Sequence, residues 1–344
     1  MIGNRSYFKL LSLITLFIVS CHTYQDHFTY ATIYRGETLG GFHARAISLV
    51  NSEAVIVAGP DGKFCGKYFG GDLIEQPALT GAEDIRDLHL FNNGTMVLMN
   101  SGDTGKIYVV GFNGEQATVL DTPGVFLDGL DFWDEKNGIV FGDPVGNTFF
   151  LAKTLDGGRS WSAFSPQNIP EALQHESAFA ASGTSIQCIG DSTVYFVSGM
   201  ADTARLFISH DRGMNWTAVP TPMKSGGGYG IYSMYFWNSL EGMIIGGSWE
   251  EIKYHKKICF LTQDGGKTWI NRSRGLGGYS SCIIGNQDGS CLFSTGDRGT
   301  YYTLDHGLHW NLLFERNYYS IAMNEEFLAL IGRNGTIEIL RYQF

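Results

Sequence analysis

The hydrophobic positions of the chain fall in short runs separated by glycine-rich turns, which predicts many short strands rather than helices. One order of runs recurs. A run mixing aromatic, small and apolar residues is followed by a turn, an apolar run ending in Gly, and a further run. It begins at residues 44–47, 85–88, 127–130, 183–186, 231–234, 279–282 and 318–321. Seven such units predict an all-β fold, a seven-bladed β-propeller with these runs as the inner strands. The last unit supplies only three strands, at 318–323, 327–331 and 336–342. The alternating stretch 28–34 is therefore predicted to close the ring as the outer strand of the last blade, since two bare edges would invite aggregation. No Pro- or Ser-rich break divides the body, so residues 27–344 form one propeller domain.

Inside this pattern a sharper one repeats. Ser/Thr-x-Asp-x-Gly-x-x-Trp occurs at residues 154–161, 209–216, 262–269 and 303–310, with Asp156, Asp211, Asp264 and Asp305 spaced by 55, 53 and 41 residues. The carboxylate suits a turn that needs an acceptor for backbone N–H groups, and the glycine suits positive φ. The tryptophans Trp161, Trp216, Trp269 and Trp310 are expected to pin the strand that follows. These residues are expected to be structural. The fragments Asp61-Gly62, Asp103-Thr-Gly105 and Arg333-Asn334-Gly335 read as remnants of the same motif in the other three blades.

The first twenty residues are not part of the ring. Arg5 and Lys9 precede an apolar run from Leu10 to Val19, the length of a secretory core and too short for a spanning helix. Ile18-Val19-Ser20-Cys21 has the order of a lipoprotein cleavage site. Residues 1–20 are thus expected to be a signal peptide, Cys21 the lipidated N-terminus, and 21–26 a tether holding an exported, monomeric protein to a bacterial envelope membrane by lipid alone. Loss of Arg5 and Lys9 would take the formal charge from −10 to −12. An acidic chain without a basic run gives no support for nucleic-acid binding. Composition agrees with a strand-rich body: 45 Gly against 8 Pro, 14% aromatic and only 17% charged residues.

The four Asp motifs resemble the BNR or Asp-box repeat. Phe141-Gly-Asp143-Pro144-Val145, Ile169-Pro-Glu-Ala, the run from Glu176 to Thr184, and Gly230-Ile-Tyr-Ser-Met resemble an exported bacterial propeller family related to photosystem II stability and assembly factors. That resemblance implies a binding or assembly scaffold with a protein or glycan partner in the envelope. Some of its relatives carry an oxidoreductase label, but no dinucleotide turn, haem motif or CxxC stands in this chain, and no cofactor is expected. Asp boxes also occur in sialidases, although the Arg-Ile-Pro arginine motif of those enzymes is missing. A glycan-active hydrolase or lyase is the alternative function, and a redox enzyme a weaker one.

Register places Arg45, Arg86, Asp128, Thr184, Tyr232, Ser280 and Tyr319 at one position of the seven inner strands, facing the axis. Two guanidiniums in such a ring suit an anionic or polyhydroxylated ligand. The bland alternative pairs Arg45 or Arg86 with Asp128 above a water-filled shaft. The long connection from Ser162 to Gly183 is expected to carry a short helix at 170–174 and to hang Glu176 over the mouth, with Asp143 capping its own turn before Pro144. The histidines show no metal spacing. Cys282 and Cys291 flank one hairpin, and pairing among Cys65, Cys188, Cys259, Cys282 and Cys291 is left open.

Overall fold

The computed structural model describes residues 28–37, 41–164 and 168–343; the predicted leader, tether and Cys21 lie outside them. Short apolar runs, buried along their whole length in second strands such as Met96–Ser101, Gly242–Ser248 and Phe327–Gly332, pair with their chain neighbours through tight turns. The result is seven four-stranded antiparallel sheets, the blades of a propeller. Six follow chain order. In the seventh the order is Thr29–Glu37, Thr336–Gln343, Phe327–Gly332, Tyr318–Met323. The N-terminal strand therefore closes the ring as predicted, with Thr29 opposite Gln343 and Glu37 opposite Thr336. Glu338, fully buried, clasps this closure. Its carboxylate accepts hydrogen bonds from Thr32 Oγ1 at 3.2 Å, from Arg35 and from the Tyr318 hydroxyl.

The core is divided among the blade interfaces, each filled by its own apolar cluster. Between the third and fourth blades, Phe196 stacks on Phe207 with centroids 4.3 Å apart, and Trp216 meets it at 5.0 Å. Each such side chain, fully buried, contributes about 1.5–3 kcal/mol. Polar hooks join consecutive inner strands as well. Asp87 accepts the Leu130 N–H, Asp131 the Cys188 N–H, Gln187 exchanges two bonds with the Phe236 backbone, and Ser233 accepts the Ile283 N–H.

The four Asp boxes are built alike. The Ser or Thr hydroxyl donates to the Asp at 2.8–3.0 Å and accepts the Gly N–H. The residue before each Trp donates both its backbone N–H and its side chain to the same carboxylate. Each box occupies the turn between the third and fourth strands. The supposed remnants do not. Asp61-Gly62, Asp103 and Arg333–Gly335 lie between second and third strands, at the other end of their blades, so they share composition with the boxes and not position. Residues 170–174 form no helix but an irregular run into a turn, where Glu176 N–H bonds the Leu173 carbonyl and His175 takes a φ of 64°. The five described cysteines are free thiols.

Candidate functional site

The axis of the ring is not a shaft. The segment 177–184 crosses it. Phe179 stacks face to face on Tyr232 at 3.7 Å, in the fifth blade. The Ala180 carbonyl accepts Arg86 Nη1 at 3.0 Å, in the second. Ser182 Oγ donates to the Ser281 carbonyl of the sixth blade at 2.7 Å, and the Ser182 carbonyl accepts Ser320 Oγ of the seventh at 3.1 Å. Gly183 makes this crossing sterically feasible: at a φ of 75°, a Cβ there would fall 2.2 Å from Asp87 Oδ1. A small-residue run, Ala-Phe-Ala-Ala-Ser-Gly-Thr, is what a polypeptide needs to pass between seven converging strands.

The register positions divide over this plug. In Arg86, Asp128, Tyr232 and Tyr319 the expected residue is the one skipped by a β-bulge in its inner strand; bulges re-aim a side chain that regular pairing would hold in the sheet. Arg45 immediately precedes its strand. Arg45, Arg86 and Tyr232 line a pocket of about 420 Å³ on the plug, with Phe126, Asp143, Phe179, Trp249 and Tyr279. Tyr319 lies behind Arg45, whose guanidinium sits 4.6 Å from its ring centroid, and accepts Arg333 Nε at 3.2 Å. Thr184 and Ser280 are elsewhere. Thr184 joins Ser182 and Ser233 in a hydroxyl cluster on the axis, at 2.7 and 2.6 Å, and Ser280 is buried against the Gly278 carbonyl.

Neither arginine pairs with Asp128. Arg86 forms its ion pair with Asp84, while Arg45 has no carboxylate partner among the described residues. Burial, and then the neighbouring Arg86 charge, lower the Arg45 pKa. Asp128 is fully buried, and neither of its oxygens makes a well-formed hydrogen bond. Burial, then the proximity of Asp143, push its carboxyl well above the usual range, against the opposing pull of Arg86.

Glu176 does not overhang the pocket. It is buried and accepts hydrogen bonds from Arg205 Nε at 2.8 Å, Ser198 Oγ at 2.6 Å and the Leu173 N–H at 2.8 Å. Its partner Arg205 lies in the next blade, so the carboxylate ties the long connection to that blade. Asp143, expected to cap its own turn, instead accepts the Ala178 N–H of the plug at 2.9 Å. It too is skipped by a bulge, between Gly142 and Pro144, which turns it to the pocket. Burial raises its carboxyl.

The pocket opens where the inner strands begin and the second strands end. Antiparallel order places the Asp boxes, at the turns after the third strands, on the opposite face.

No known family profile matches the chain, and no curated protein matches it. Solved structures do. A catalytically inactive histidine-to-alanine variant of virginiamycin B lyase from Staphylococcus aureus, determined with quinupristin, superposes with a TM-score of 0.66 at 12% identity, covering 92% of this chain and 99% of that one. A streptogramin B lyase superposes with a TM-score of 0.64 at 14% identity, over 92% and 98%. The likeness is one of fold. At such identities it establishes the propeller alone, and the kinship with assembly factors remains a resemblance of motifs.

Proposed function

We propose that the protein is an envelope propeller that binds a small anionic ligand in the pocket above the plug. One observation carries this reading: Arg45, a half-buried guanidinium without a carboxylate partner among the described residues, stands beside Arg86 at a concave, aromatic-lined surface. Arg86 already has Asp84 as its counter-ion, so the uncompensated charge is that of Arg45, which an incoming anion would neutralise. A pocket of this size, largely preformed, suits a small molecule better than a protein edge. The location in the envelope rests on the leader-like segment and Cys21.

A second reading is a lyase. Asp143 favours it: a carboxylate of raised proton affinity in the same pocket as the guanidiniums can accept a proton from a carbon beside an anionic group, the C–H electron pair forming a double bond as a substituent leaves the neighbouring carbon. A two-carboxylate hydrolase fits less well, because Asp143 is the one acid among the lining residues and Asp128 is buried beneath it.

The test is a double replacement, Arg45→Gln with Arg86→Gln, measured calorimetrically against inorganic phosphate and small carboxylates. Charged hydrogen bonds contribute about 1.5–3 kcal/mol each, so affinity for the anion bound by wild type should fall at least about tenfold in protein that still melts cooperatively, at a somewhat lower temperature because Arg86 also holds Asp84 and the plug. Unchanged affinity refutes the pocket. Turnover of the bound compound by wild type, lost in Asp143→Asn, would decide for the lyase.

A further inference from the structure

Trp249 stands apart from the other tryptophans. Trp161, Trp216, Trp133, Trp237 and Trp310 all donate their indole N–H to a protein acceptor, and Trp269 is packed among apolar side chains of the fourth and fifth blades. Trp249 is 58% exposed and lines the rim of the pocket. It begins a connection, residues 249–258, between strands Gly242–Ser248 and Cys259–Thr262. That connection is held in place. The Tyr229 hydroxyl donates to Glu251, Lys224 Nζ lies 3.5 Å and 4.4 Å from the Tyr229 and Tyr254 centroids, and Tyr279 N–H bonds the Ile252 carbonyl at 3.0 Å. An indole of this size, left to water on an anchored arm, forgoes a large apolar burial that its sisters obtain.

We infer that Trp249 is the stacking platform of a sugar subsite, and that the ligand is a pyranose bearing a carboxylate. The inference rests on the anion-binding reading and narrows it. Three demands converge on one pocket. Arg45, without a carboxylate partner among the described residues and beside an Arg86 already paired to Asp84, calls for an anionic acceptor, as a carboxylate supplies in paired geometry. Asp143, which takes one hydrogen bond from Ala178, requires hydroxyl donors for its remaining acceptor capacity. Trp249 requires a flat face, which the C–H side of a pyranose offers while its hydroxyls point elsewhere. Phosphate carries charge and hydroxyl donors but has no flat face to offer Trp249. An aromatic acid meets the first and third but brings no hydroxyl to Asp143. An uncharged sugar leaves Arg45 without a counter-ion.

The experiment titrates wild type, Trp249→Ala, Trp249→Phe and Arg45→Gln with glucuronate, galacturonate, N-acetylneuraminate, glucose, benzoate and phosphate by calorimetry. Acrylamide quenching of tryptophan fluorescence is followed in parallel. At least one sugar acid should bind wild type at least about tenfold tighter than glucose, benzoate or phosphate. Trp249→Ala should lose about tenfold of that affinity, while Trp249→Phe retains most of it. Binding should also shield the exposed indole of wild type from acrylamide, a readout independent of how the variants fold. If Trp249→Ala binds as wild type does and Arg45→Gln binds poorly, the platform is refuted and the anion site stands. The platform is likewise refuted if benzoate or phosphate matches the sugar acids, or if quenching is unaltered on binding. Should no anion in the panel bind wild type, the anion-binding reading fails and the platform with it.

Discussion

Asp87 and Asp131 show how a single residue can carry the ring's stability in a way set by pH. Both are held inside the blade interfaces, where burial raises their carboxyls to about 8 and about 6, each partly offset by backbone N–H bonds. In the unfolded chain both would titrate near 4. A folded-state value above the unfolded one means that the native protein binds more protons between the two, so stability falls as pH rises through that window. Stability should decline from about pH 4 to about pH 8, most steeply below 6 where both groups contribute. Asp87→Asn keeps an acceptor for only one of the Leu88 and Leu130 N–H groups and sets an amide nitrogen against the other, so it should lower stability overall while flattening the upper part of the curve; urea midpoints from pH 5 to 8 would check it. Individual residues are the least legible part of the sequence. Arg45, Arg86 and Tyr232 can be placed at the mouth because register is repeated seven times. Glu176 defeats that reasoning because its partner, Arg205, lies 29 residues away in another blade. The pocket positions of Asp143 and Trp249 carry no signal of this kind, because one sits at a bulge of a second strand and the other on a surface connection, outside the inner-strand register that repeats.

At the scale of the element, the Asp box is a hairpin that satisfies its own backbone and then lends a tryptophan to the neighbouring interface. In Asp211, burial alone would raise the carboxyl, yet bonds from Asn215, Ser209 and the Met214 N–H hold it down to about 2. Trp216, almost fully buried, donates to the Gly213 carbonyl and packs on Phe196. Trp216→Ala should destabilise the protein by about 3–5 kcal/mol in urea denaturation, with ligand affinity of the folded fraction unchanged because the box is on the far face from the pocket. These hairpins are legible because eight residues carry the whole device. The three fragments without a tryptophan mislead for the opposite reason: Asp-Gly pairs suit any tight turn, and composition alone does not say which.

For the whole molecule, ring and plug are complementary constructions. Seven interfaces hold the blades to one another, and the segment 177–184 fills the space where they converge, turning an annulus into a floor on which a pocket can rest. The ring count is readable from sequence. The plug is not, since nothing local distinguishes a loop that crosses an axis from one that lies on a rim. Removal of the chain through Tyr34 would strip the strand that Glu338 clasps and bare the outer edge of the last blade. Such a protein should melt without a cooperative transition and aggregate, and a melting profile like that of wild type would show that the closure is dispensable.

That closure also orders events in time. Thr29 meets Gln343 across more than three hundred residues, and joining such distant points costs about 5 kcal/mol for an ideal chain, by the logarithmic dependence on loop length. The inner blades, each a run of neighbours, face no such barrier and can assemble as they emerge. The strand made first is thus the one that waits longest for its partner. During synthesis the half-finished ring keeps this strand unpaired, and its exposure in that interval is a property of the topology rather than of any residue.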